Sequence, residues 1–152
     1  MKNSILSLLL GITVLLSSCY TEKSATKDLN DTTWKCTKMT FTGNDNKNYD
    51  AEAAAMLKQV SLILHFIKGG TGSSKMTDLN SNNVEEDPFT WSVSKDGKQV
   101  TVVDNADKTS SALDIHEEKR DIKNLTHTEK DMIINVNNVD VHGTAILTYE
   151  KQ

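Results

Sequence analysis

The chemistry this chain can offer rests on two cysteines, four histidines and two acidic clusters. Cys19 has the most informative setting. Met1-Lys2-Asn3 supplies one positive charge, Ile5 to Leu16 is apolar, and Leu16-Ser17-Ser18-Cys19 closes the run. The run falls well short of the roughly 20 residues needed to span a bilayer, so it reads as a cleaved targeting segment. Small residues at 17 and 18 let a peptidase reach the backbone. The Cys19 thiol can carry a lipid, and the amine freed by cleavage can carry another chain. Each buried methylene contributes about 0.8 kcal/mol, and stable attachment needs more than one chain.

The other reactive residues read as inert. Cys36 invites a nucleophile reading, but on a strand it shares a face with Trp34, which predicts burial. With Cys19 committed to lipid it has no disulfide partner in the chain. His65, His116, His127 and His142 lie at no short metal-ligand spacing, so they are expected on the surface and rim. Glu85-Glu86-Asp87 and the Glu117 to Asp121 run lack calcium-loop spacing and read as solvated loops. Gly69-Gly70-Thr71-Gly72 lacks the Lys-Ser/Thr of a phosphate loop and reads as a turn. The expectation is a non-enzymatic protein with no metal and no cofactor; only a histidine brought to Cys36 by the fold would favour a hydrolase.

Composition sets the frame for these residues. The chain has 152 residues, a formal net charge of −4 and 5% aromatic residues. A mildly acidic, mixed surface argues against nucleic acid, which needs a clustered basic face. It also argues against the polypeptide binding anionic lipid through its own charge. The layout read from the sequence is a lipoprotein signal over residues 1–18, a lipidated flexible tether over 19–30 and one domain over 31–152, expected to be monomeric.

Most of the domain carries strand signals. Thr32 to Phe41 is rich in Thr and aromatic residues, with Trp34 and Cys36 on one face and Met39 and Phe41 on the other unless a bulge intervenes. Tyr49 to Gln59 is Ala-rich and predicts a helix, with Asp50 as its N-cap. Val60, Leu62, Leu64 and Phe66 alternate along the next strand. Leu79 to Pro88 reads as a polar loop, because Pro88 bars an interior strand position. Phe89 to Val93 and Gln99 to Val103 form a hairpin around Asp96-Gly97. Further strands are expected at Ser111 to His116, Met132 to Val136 and Thr144 to Tyr149, with Ile122 and Leu125 anchoring a strand-and-turn segment. Asn137-Asn138 and His142-Gly143 are turn candidates. Eight short strands in sequential hairpins predict an all-β fold: an eight-stranded antiparallel up-and-down barrel with one short helix between its first two strands. A two-sheet sandwich shares the same local signals.

These segments resemble the lipocalin-like domain lipoproteins of Bacteroidetes-type bacteria. The likeness is carried by the lipobox, by Thr33-Trp34-Lys35, by Leu62 to Phe66 running to Gly72, and by Phe89-Thr90-Trp91-Ser92-Val93. Ile122 to Thr126 and the closing Leu147 to Lys151 complete it. Lipocalins proper carry Gly two residues before the first-strand Trp; here that position is Thr32. The resemblance implies an up-and-down barrel without an established common ligand, and it matches Cys19 to the lipid-modified cysteine and Trp34 to the barrel floor.

Trp34, Phe66, Phe89 and Trp91 are candidates to line a binding cavity. The expected function is therefore a membrane-anchored binder of a small hydrophobic or amphipathic ligand. The alternative is an interaction module, an envelope-complex subunit or a protease inhibitor, that uses the loops 43–48 and 79–88. Tyr20 rather than Asp after Cys19 points to the outer membrane, on its periplasmic or surface face.

Overall fold

The structure is a computed structural model that describes Tyr20–Gln152. The signal over 1–18 and the lipidation candidate Cys19 lie outside the described residues.

Eight antiparallel strands, β1 (Thr32–Gly43), β2 (Val60–Ile67), β3 (Thr71–Asp78), β4 (Val84–Val93), β5 (Gln99–Asp104), β6 (Ser110–Glu118), β7 (Asp121–Val136) and β8 (Val139–Lys151), run in sequence order around a closed barrel. β8 pairs with β1 and closes the ring, leaving no outer strand. This is the up-and-down architecture that lipocalins use, and the closed ring excludes the sandwich. The expected helix is present as α2 (Asp50–Leu57), between β1 and β2.

A second helix, α1 (Glu22–Leu29), precedes β1. It corrects the reading of residues 19–30 as a flexible tether. Thr21 caps it by accepting the Ser24 N–H, and the Tyr20 hydroxyl donates to Asp28 at 2.5 Å. Ala25 and Leu29 are fully buried in the core. The missed signal was their i, i+4 spacing, which puts two apolar side chains on one face of an otherwise polar segment. α1 packs on both β4 and β7, which stand well apart around the ring, so the helix crosses one end of the barrel and plugs it. The β4–β5 turn supports its start. Gly97 there has φ +71, and a Cβ on it would press into the Thr21 backbone.

Three strand details change which residues face inward. Within β1 the register with β8 slips between Cys36 and Lys38. The extra residue, Thr37, reverses the alternation, so Trp34, Cys36, Met39 and Phe41 are all buried together. Pro88 lies inside β4 opposite Ser73, not in a loop. Its carbonyl accepts from Asn105 just past the end of β5, so the side lacking an N–H faces a place where the neighbouring strand has already stopped. β7 runs unbroken through the expected turn, absorbing an irregularity between Glu129 and Met132 with Asp131 at φ +58.

His142-Gly143 is likewise not a turn but part of β8. Gly143 lies opposite Gly43, and a Cβ on it would collide with the Thr42 carbonyl and the Phe41 ring. Asn137 and Asn138, both at positive φ, make the β7–β8 turn. Asp50 does not cap α2 as expected. Its carboxylate accepts the Phe41 N–H at 2.8 Å and the Asn48 side-chain amide at 2.9 Å, tying the helix to β1.

Two seams in the wall are incompletely zipped. β1 pairs with β2 only over Thr32–Lys35, and α2 covers β1 beyond that point. β6 leaves β7 above the pair Leu113 and His127.

Candidate functional site

Inward-facing side chains divide the barrel into a packed end and an open end. At the end plugged by α1, Trp34 is fully buried and its indole N–H donates to Thr32 Oγ1 at 2.8 Å. Phe66 packs edge-on against Trp91 and Phe89, with ring centroids 5.5 and 5.6 Å apart. Such T-shaped pairs contribute about 0.5–1.5 kcal/mol beyond simple burial. The Trp91 indole N–H donates to the Thr71 carbonyl at 2.8 Å, pinning β4 to the start of β3.

Toward the other end this packing gives way to a cavity of about 210 Å³. Leu64, Phe89, Val102 and Leu113 supply its apolar wall. Ser74, Asp104, Thr109, Ser111, His127 and Tyr149 supply its polar groups. Strand alternation puts these residues inside, and the β5–β6 loop brings Thr109 to the mouth. Of the four aromatic residues expected to line a cavity, Phe89 alone does so; the structure places Trp34, Phe66 and Trp91 in the packed floor. An aromatic ring is as good a core filler as a ligand platform, and the sequence offers no signal to separate the two.

Three polar residues give the cavity its character. The Tyr149 side chain is only 7% exposed, yet its hydroxyl has no hydrogen-bond partner among the described residues. Burial, reinforced by the nearby Cys36 and Glu129, raises its pKa and keeps it protonated. His127 stands where β6 and β7 part. Its Nδ1 lies 3.0 Å from the Ala112 carbonyl and its Nε2 lies 3.0 Å from a Glu129 carboxylate oxygen. Both partners accept only, so neither ring nitrogen has an N–H to spare for a third group. Asp104 takes the N–H groups of Ala106 and Asp107 on Oδ1, which shapes the loop at the mouth. Sequence reasoning left Asp104 and Tyr149 unmarked and placed His127 only on the rim. The alternation Leu147, Tyr149 along β8 was the available signal for Tyr149.

The remaining candidates do not converge. The Cys36 thiol is buried, which raises its pKa, and donates weakly to the Lys38 carbonyl at 3.5 Å. Among the described residues no group of three His, Cys, Asp or Glu side chains is arranged to hold a metal ion. Two larger hollows lie along the seams: about 730 Å³ between β1 and α2, and about 560 Å³ beside β6 and β7.

No protein-family model matches the chain, and no curated protein matches it in sequence. Among solved structures, one similar fold is that of the siderocalin Ex-FABP, a protein described as functioning through dual ligand specificities. The alignment covers 82% of this chain and 71% of that one, at 9% identity and a TM-score of 0.38. At that level the likeness carries no argument about ancestry or ligand. The architectural statement rests on the strand order: this chain is a closed, eight-stranded, antiparallel up-and-down barrel plugged at one end.

Proposed function

We propose that this protein is a lipid-anchored envelope protein whose barrel holds a small amphipathic molecule, without catalysis. The observation that carries the reading is the interior cavity, walled by apolar side chains and edged by polar ones. Barrels of eight strands either fill their interior or hold one small ligand. Its 210 Å³ exceeds the roughly 150 Å³ that admits benzene in an engineered cavity. It falls below the roughly 300–1,000 Å³ of drug-sized sites. The ligand is therefore ring-sized or a short chain. Titration with toluene, followed by the methyl resonances of Leu64, Val102 and Leu113, tests this. Saturable shifts confined to those methyls are expected; their absence refutes the reading.

The anchor rests on the sequence around Cys19, and the outer membrane is its proposed location. Cells fed an alkyne-tagged fatty acid should label the protein, and Cys19→Ala should abolish the label. Labelling that survives the substitution would place the lipid elsewhere.

A second reading, an interaction module, is favoured by one feature. Met76, Leu79 and Val84 are 42–51% exposed around the β3–β4 connection, an apolar tip beside the open end. A photocrosslinker at Leu79 that captures one protein stoichiometrically in cells would support it. A ligand carrier gives no such adduct.

A further inference from the structure

Resting on the ligand reading above, we propose that the cavity selects a small amine, with an ammonium group at Asp104 and a neutral hydrogen-bonding group at its far end against the Tyr149 hydroxyl.

The argument starts from which charges remain uncommitted. Among the residues lining the cavity only Asp104 and His127 can carry charge, and none is Lys or Arg. Each ring nitrogen of His127 already faces an acceptor, the Ala112 carbonyl on one side and the Glu129 carboxylate on the other. His127 therefore has no N–H left for a ligand. The uncompensated charge at the cavity is Asp104, and it is negative.

A carboxylate ligand would enter without a cationic partner and would meet Asp104. The penalty for a desolvated anion beside a like charge acts on the whole ligand, however well its apolar part fits. An ammonium group reverses both terms. Asp104 has Oδ1 engaged by the loop amides, and no bond to its second oxygen is found among the described residues. A charge-assisted hydrogen bond there is the stronger kind.

The deep end carries the second half of the inference. Tyr149 is almost wholly buried, lines the cavity, and its hydroxyl is unpaired among the described residues. The hydroxyl is not sealed into the wall but opens on the cavity, so a bound group can take the place of water on it. Burial keeps the phenol protonated, so it presents a donor to the ligand. A neutral oxygen on the ligand meets that need without bringing an anion close to Glu129. Between the two ends lie Leu64, Phe89, Val102 and Leu113, which suit a ring or short chain.

Three probes of nearly equal size separate the terms: tyramine (cationic), 2-(4-hydroxyphenyl)ethanol (neutral) and 4-hydroxyphenylacetate (anionic). Each is titrated into the purified protein at neutral pH, following the Leu64, Val102 and Leu113 methyl resonances. Tyramine should bind at least tenfold more tightly than the carboxylate, with the alcohol between them. Asp104→Asn, which keeps the oxygen that the loop amides use, should bring the three within about threefold. Tyr149→Phe should weaken tyramine and the alcohol by a similar factor. Equal affinities, or a tighter carboxylate, overturn the amine proposal and leave the ligand reading intact. Binding by all three that Tyr149→Phe does not alter overturns the role of the hydroxyl. Failure of every probe, together with toluene, removes the ligand reading itself.

Discussion

Replacing Leu29 by Ala measures whether α1 belongs to the folded domain. Leu29 is 0% exposed and, with Ala25, forms the only buried face of the helix. Removing the buried side chain forfeits its transfer free energy and leaves a cavity at the barrel end. Leu→Ala changes at such sites cost about 2.7–5.0 kcal/mol. The helix lies at the barrel end and can settle slightly into the space, so the lower part of that range applies, about 3 kcal/mol. Against a typical stability of about 5–15 kcal/mol this is a large fraction. With a urea m-value near 2 kcal/mol/M, the unfolding midpoint should fall by about 1.5 M without a change in slope. Lys23→Ala on the exposed face is the control and should stay within about 0.5 kcal/mol. A Leu29→Ala midpoint indistinguishable from the control would refute the plug and restore a tether. A lowered m-value with an unchanged midpoint would point instead to a helix that frays independently of the barrel.

Other perturbations have equally definite outcomes. Gly143→Ala forces a methyl against the Thr42 carbonyl, which is backbone and cannot swing aside, so the variant should lose several °C in Tm or fail to fold, as thermal unfolding would show. Asp50 is held below the usual carboxylate range by hydrogen bonds from Asn48 and the Phe41 amide. A depressed folded value means that its stabilisation is present above pH 4 and lost as pH falls through the folded value; thermal scans from pH 6 to 2 should show a shallower acid loss in Asp50→Asn. Tyr20 and Tyr149 are shifted the other way, chiefly by burial, so their contribution is complete below about pH 10 and declines as pH rises beyond it; alkaline unfolding should begin there and start later in Tyr149→Phe. The Cys36 thiol should react with a disulfide reagent only as fast as the barrel opens; rapid labelling of the native protein would contradict its burial.

How far the site could be read from the chain differs residue by residue. Phe89 and Trp91 both face inward, as alternation along one strand requires, but alternation does not say which meets the cavity and which the floor. In β1 the bulge that the sequence left open is present: one extra residue at Thr37 inverts the phase and turns Met39 and Phe41 inward, and no composition signal marks where it falls. Pro88 lies inside β4 because the rule against proline in strands concerns a lost N–H, and whether that N–H has a neighbour depends on where β5 ends. Tyr149 is marked in the sequence only as the end of a strand. Its importance lies in the hydroxyl it turns to the cavity, a property of the surrounding wall.

The strand content, the sequential hairpins and the turn residues Asp96-Gly97 and Asn137-Asn138 were determined by the sequence alone, because each depends on side chains a few residues apart. With them came a meander of eight antiparallel strands, since short connections leave few other ways to satisfy backbone hydrogen bonds; its closure by β8 against β1, rather than a sandwich, is a contact between distant ends of the domain. Only the tertiary structure decided which end of the barrel is filled and which is hollow. That depends on α1 crossing one mouth, on three aromatic residues meeting beneath it, and on His127 spending both nitrogens on its own wall. Such contacts join residues that the ring closure brings together from distant parts of the chain, and no local periodicity encodes them.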